Sequence, residues 1–163
     1  MKFGGTSVGD VAAFERVCDI VQNQLDKRPV VVTSAMTKVT DALLAAFEMA
    51  RRDDLAGAVA SLEPHFERHV EITAAFFPND TENIFHNELR LAKGEIKDLL
   101  TRAARRSLPL QMLKDAIVSY GEQLSSRLLA EVLKSRGIAA RTVDSRRLIV
   151  TDDEFGAAQT IID

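Results

Sequence analysis

Pro29-Val30-Val31-Val32-Thr33-Ser34 is the stretch on which the reading of this chain turns. A short β-branched run, with charge and a proline behind it and a small polar residue ahead, is the pattern of a strand buried on both faces, as in a parallel sheet. Before it, Asp10 can cap a helix on which Val11, Phe14, Val17, Cys18, Val21 and Leu25 recur with a helical period. Before that again stands Lys2-Phe3-Gly4-Gly5-Thr6-Ser7-Val8, a cation, two glycines and two hydroxyls. Loop, helix and strand form a first βαβ unit. Its opening strand must be very short or include Lys2 and Phe3, because only Met1 precedes them. The loop has the composition of a phosphate cradle: glycines admit an anion close to the backbone, and a following helix N-terminus adds partial positive charge. Taken alone, Gly-Gly beside hydroxyls is more often a turn than a ligand site.

Beyond the valine run, Thr40 or Asp41 can cap a helix through Ala50, and Leu55 to Phe77 carries a helical stripe with a break or restart expected at Pro64. Pro78-Asn79-Asp80 reads as a turn. From Thr81 to about Arg106, Phe85, Leu89, Ala92, Ile96, Leu99, Leu100 and Ala103 line one face of a long amphipathic helix. Two further helical stretches follow, one before Ser119 and one carrying Leu124, Leu128, Val132 and Leu133, which Gly137 can end as a left-handed cap. Ile138 to Val143 returns to strand character, and Thr151-Asp152-Asp153-Glu154-Phe155-Gly156 is an acidic turn. The fold class read from this alternation is α/β, a three-layer αβα sandwich with a mostly parallel sheet. In such sheets ligands sit beyond the carboxyl ends of the strands, which places Ser34 and Asp144-Ser145 where contacts are made.

The totals narrow the function classes. The 163 residues have the length of one domain; 46% are hydrophobic and 28% charged, with a formal net charge of -3. Nothing in that balance suits a polyanion, so nucleic acid is not an expected partner. The apolar runs are too short to span a bilayer and no signal-peptide core follows Lys2, so a cytoplasmic location is expected by default. Cys18, the single cysteine, falls on the apolar helical face and reads as a buried hydrophobe. His65 and His69 stand at i, i+4 but lack a third ligand, so no metal site is expected and an interhelical or surface place is favoured. His86, in a charged helix, is expected to face solvent. Arg105-Arg106 and Arg146-Arg147 read as solvated pairs.

Lys2-Phe3-Gly4-Gly5-Thr6-Ser7, then Val32-Thr33-Ser34-Ala35-Met36 with Thr40, then Ser119-Tyr120-Gly121-Glu122-Gln123-Leu124-Ser125-Ser126 together resemble the N-terminal part of the aspartate kinase catalytic domain, within the amino acid kinase superfamily. The resemblance covers essentially residues 1–163, continuing through Leu128-Leu129-Ala130-Glu131-Val132-Leu133, Gly137, Asp144 and the acidic turn. It supplies what composition and spacing do not, since those reach only a phosphate-binding α/β domain. It implies phosphoryl transfer from ATP, with Mg2+, to the side-chain carboxylate of L-aspartate, giving 4-phospho-L-aspartate at the entry to lysine, threonine and methionine synthesis. Other readings in play are a non-catalytic aspartokinase-like domain that binds a ligand or a subunit, and another amino acid kinase.

Carried over by position, Lys2 is the implied catalytic residue, neutralising the transferring phosphoryl group, with Gly4, Gly5, Thr6 and Ser7 around the phosphates. Ser34, Thr40 and Glu122 are implied in the aspartate pocket, Glu122 pairing with the substrate ammonium. Each has a plainer role beside it: Lys2 as a solvated charge, the glycines as a turn, Ser34 as a strand end, Thr40 or Asp41 as a helix cap. Glu122 would suit the first turn of a helix, facing the macrodipole. Family members continue well beyond this length. The resemblance therefore implies the N-terminal portion only, with no appreciable kinase activity by itself, exposed apolar surface, and a homo-oligomer in full-length form.

Overall fold

The computed structural model describes residues 1–79 and 84–162. Asp80 of the expected turn and Thr81, where the next helix was expected to start, lie outside them. Two short strands, β1 (Lys2–Phe3) and β2 (Val32–Thr33), pair in parallel with Lys2 opposite Val32 and Phe3 opposite Thr33. The first strand is thus short and made of Lys2 and Phe3 themselves, as expected. Among the described residues the sheet has these two strands and, apart from one isolated bridge near the end of the chain, the rest of the secondary structure is helical, so the expected three-layer sandwich is present only as a fragment. The valine run pairs at Val32 and Thr33 alone, and Val30 and Val32 remain exposed. Ile138 to Val143 forms no strand, because no neighbouring strand lies beside it to take up its backbone groups.

The helices are α1 (Val11–Gln22), α2 (Val39–Arg51), α3 (Leu55–Phe76), α4 (Ile84–Ala104) and α5 (Leu110–Ser135). Asp10 caps α1 as expected, its carboxylate accepting from the Ala13 N–H at 2.8 Å. Neither Thr40 nor Asp41 caps α2. Lys38 holds that position with φ of 67° and no side-chain cap, and the other two lie inside the first turn. Pro64 does not interrupt α3, which runs through it. The ring removes one backbone donor, and tertiary packing on both sides of it keeps the helix continuous. The two expected stretches around Ser119 are a single α5, so Glu122 stands in mid-helix and its expected role against the macrodipole falls away. Gly137 ends α5 with φ of 76°, and the Ile138 N–H reaches back to the Leu133 carbonyl at 3.0 Å.

The apolar faces meet in one core. Phe14, Val17 and Cys18 of α1, Leu43 and Phe47 of α2, Ile72 of α3, Phe85 and Ile96 of α4, and Leu113, Ile117, Leu124 and Leu128 of α5 are all within it. Burial pushes the Cys18 thiol pKa up, in keeping with a packed hydrophobe. His69 is fully buried between α3 and α4, stacked on Phe85 with ring centroids 6.2 Å apart. His86 corrects the expectation of a solvent-facing ring: it is half-buried, and both its ring nitrogens are enclosed without a partner among the described residues. One position past Phe85 and three before Leu89, it stands at the margin of the buried stripe. The acidic turn forms, but it closes a hairpin rather than capping a helix: Thr151 bridges Thr160, and Asp152 Oδ1 accepts from the N–H groups of Glu154 and Gln159.

Candidate functional site

The strand pairing brings the glycine loop against the turn between β2 and α2. The Ser34 N–H donates to the Phe3 carbonyl at 3.0 Å and the Thr37 N–H to the Gly5 carbonyl at 3.2 Å. Gly5 is there for proximity, since a Cβ on it would lie 2.7 Å from the Ala35 carbonyl oxygen and 3.3 Å from the Thr37 nitrogen. At Gly4 a Cβ would meet nothing within 4 Å, so its bareness leaves open space beside the loop. Gly5–Val8 is a single 3₁₀ turn, and the N-terminus of α1 beyond it is already capped by Asp10. The positive dipole expected to follow the loop is therefore not offered by α1, and the loop's own N–H groups and Lys2 are what remain for an anion.

α5 closes the other side of the turn. A Cβ on Gly121 would lie 2.7 Å from the Ala35 Cβ, so the helix backbone touches the turn directly. Glu122 Oε1 accepts from the Ala35 N–H at 3.4 Å, and Ser125 Oγ donates to the Ser34 carbonyl at 2.6 Å. Arg68 of α3 supports the same turn from behind, its Nη2 donating to the Thr37 carbonyl at 2.6 Å.

Phe3, Gly5 and Glu122 thus meet the turn that begins at Ser34, with Thr6 and Ser7 on the adjoining 3₁₀ turn, while Lys2 stands within β1 opposite Val32. Thr40 lies on the first turn of α2, next to Val39, whose side chain packs toward Gly121. The side chains of Lys2, Thr6, Ser7, Ser34 and Thr40 make no hydrogen bond or ion pair among the described residues. They are free to meet a ligand. Asp144-Ser145 stands apart: Asp144 is held by Arg146 at 2.7 Å, which keeps its carboxyl well below the usual range, at about 2. Tyr120, in the same motif as Glu122, also turns away. Its hydroxyl donates to Glu95 on α4 at 2.7 Å, and burial together with that bond pushes its pKa up to about 12.

Sequence reading assigned no role to Ser125 or Arg68. Ser125 carried a signal, a hydroxyl one turn after Gly121 and between the core residues Leu124 and Leu128. Arg68 carried none, being one charge among several on α3. Among the described residues no group of three His, Cys, Asp or Glu side chains could hold a metal, and no helix is long and apolar enough to cross a membrane.

The profile of the Amino acid kinase family matches residues 1–161. The chain belongs to the amino acid kinase family. Within it, the relatives are aspartokinases. Lysine-sensitive aspartokinase 3 of Escherichia coli strain K12 is 31% identical over 160 residues, 97% of this chain and 33% of the relative. The chloroplastic aspartokinase 3 of Arabidopsis thaliana is 31% identical over 162 residues, 99% of this chain and 28% of the relative. The chain therefore spans about a third of the length of these relatives, or less. Its amino acid kinase fold matches E. coli aspartokinase III, solved in complex with aspartate and ADP, with a TM-score of 0.78 at 29% identity over 98% of this chain and 34% of that one. The aspartate kinase of Clostridium acetobutylicum shares the fold, with a TM-score of 0.59 at 22% identity over 82% of this chain and 28% of that one.

Proposed function

We propose that this chain forms the phosphate-loop and amino-acid side of an aspartate kinase site, within a domain whose fuller parallel sheet makes the three-layer αβα sandwich. In that reaction a carboxylate oxygen of L-aspartate attacks the γ-phosphorus of ATP, the bond to the bridging oxygen of ADP breaks, and 4-phospho-L-aspartate forms. The nucleophile is already ionised, so no general base is needed. Position and charge are what the protein has to supply. Lys2 follows the phosphoryl group and offsets its charge; the backbone of Gly4 and Gly5, with Thr6 and Ser7, donates around the phosphates; Ser34 and Thr40 hydrogen-bond the amino acid; Glu122 holds its ammonium. Mg2+ would accompany ATP and offset the charge of its phosphates.

What supports this reading is that the glycine loop and Glu122 both meet the turn that bears Ser34, with Lys2 on the paired strand, in a family member that superimposes on an enzyme solved with aspartate and ADP. Trapping of the acyl phosphate with hydroxylamine tests it. The protein that carries this segment is expected to give the hydroxamate with L-aspartate and far less with L-glutamate or N-acetylglutamate, and residues 1–163 alone are expected to give none. Preference for another amino acid would reassign the substrate; binding of aspartate without turnover by the whole protein would favour a ligand-binding domain.

A further inference from the structure

Ser125 is a polar side chain in a place built for an apolar one. It is fully buried, flanked on α5 by the core residues Leu124 and Leu128, and stands one turn beyond Gly121, where the helix backbone meets Ala35. Burying a hydroxyl without partners costs free energy, and here the group both donates and accepts. Its proton goes to the Ser34 carbonyl at 2.6 Å, a closer contact than the 3.2 Å to its own helix carbonyl at Glu122. Its lone pairs receive the hydroxyl of Thr33, also at 3.2 Å. The peptide of Ser34 is thereby gripped from two directions, its N–H by Phe3 of β1 at 3.0 Å and its C=O by Ser125 of α5.

We propose that Ser125 is the positioning residue of the amino-acid pocket, setting the separation between the Ser34 hydroxyl and the Glu122 carboxylate. The proposal rests on the aspartate kinase reading. Glu122 itself reaches the turn only through a 3.4 Å contact with the Ala35 N–H, too long to fix its place. The short bond one residue earlier in the turn and one helical turn later in α5 does that work. Ser125 touches no substrate in this account. It acts on the two groups that hold the amino acid, and leaves the Lys2 and Gly4-Gly5 side, on which the nucleotide phosphates depend, to the β1–β2 pairing.

The consequence is a split between the two substrates. Ser125→Ala in the protein that carries this segment is expected to raise KM for L-aspartate about tenfold, the worth of one buried hydrogen bond, with KM for ATP and kcat changed less than about threefold. Ser125→Thr, which keeps the hydroxyl, is expected to recover most of the loss. Thr33→Val breaks the same buried hydroxyl pair without touching the Ser34 carbonyl, and is expected to leave KM for aspartate within about twofold. Amide hydrogen exchange of the 163-residue chain gives a readout independent of turnover: the Ser34 and Ala35 amides are expected to exchange faster in Ser125→Ala and not in Thr33→Val. Equal effects of the two variants, or a fall in kcat at unchanged KM for aspartate, would mean that Ser125 only stabilises the fold. A wild-type protein inactive with every amino acid would instead overturn the kinase reading, while faster exchange confined to Ser125→Ala would still support the Ser34 tether.

Discussion

A methyl group added at Gly5 would sit 2.7 Å from the Ala35 carbonyl oxygen, whereas one added at Gly4 would meet open space. Gly5→Ala is therefore expected to cost about 1–3 kcal/mol of stability, because the neighbouring atom is backbone and cannot swing aside. Gly4→Ala, at φ of -78°, is expected to change stability by less than about 0.5 kcal/mol and to weaken ATP binding. Urea unfolding of both variants, with KM for ATP in the active protein, checks the pair; a Gly4→Ala variant as unstable as Gly5→Ala would show that the loop's bareness is architectural throughout. This difference was not readable in the sequence, where the two glycines are adjacent and equivalent. What could be read was that the loops after β1 and β2 return to one edge, because the two strands are parallel; the grouping of Lys2, Ser34 and Glu122 came from the family resemblance and is a proposal. Ser125 stayed hidden in its motif: a serine in a helix gives no sign of which distant carbonyl it meets.

At the scale of elements, α3 and α5 show tertiary packing overriding local signals. Ser119-Tyr120-Gly121 reads as a gap between helices and is the point where α5 presses on the β2–α2 turn; Pro64 reads as a break and lies inside α3. Pro64 is solvent-exposed, so Pro64→Ala is expected to restore a helical hydrogen bond and raise stability by about 1–3 kcal/mol, measured by thermal unfolding. An unchanged or lower melting temperature would mean that the proline sets a bend the core requires. Where α3 meets α4, His69 donates from Nδ1 to the His65 carbonyl and stacks on Phe85, with Nε2 buried and without a partner among the described residues; His65 and Arg68 flank it on α3 and His86 stands on α4. Burial first, then the Arg68 and His65 charges, lower its pKa to about 4, while the His65 carbonyl opposes them. The unfolded chain takes up that proton near pH 6.5 and the folded chain only near 4, so this site's contribution is complete above 6.5 and declines as pH falls through the window between them. The loss is on the order of 3 kcal/mol. Denaturant titrations at pH 7, 5.5 and 4 should show it, and His69→Leu should flatten the profile; a profile unchanged by that substitution would assign the acid lability elsewhere.

The whole molecule is uneven in how well it covers itself. Helices α1 to α5 enclose a continuous core, while Val30 and Val32 beside the sheet and Val143, Leu148, Ile149, Val150, Phe155, Ile161 and Ile162 in the last segment stay open to water. Exposed apolar surface on this scale is expected to make the 163-residue chain associate with itself as concentration rises, which sedimentation velocity over a hundredfold range of concentration would register. A single monomer peak throughout would show the surface to be harmless. The α/β alternation legible in the sequence promised more sheet than the two strands among the described residues, since a strand signal records a residue's fitness for a sheet and not the presence of a neighbour to pair with. Ser34 and Ala35 meet Ser125 and Glu122 across 91 and 87 positions of sequence, with α2, α3 and α4 between them. Closing so long a loop is a late event in folding, and the contact that closes it is the one that joins the two sides of the proposed amino-acid pocket. The pocket therefore has no existence in a partly folded chain, and any excursion that lifts the middle of α5 from the turn erases it reversibly, so binding competence and the docking of that helix rise and fall as one equilibrium.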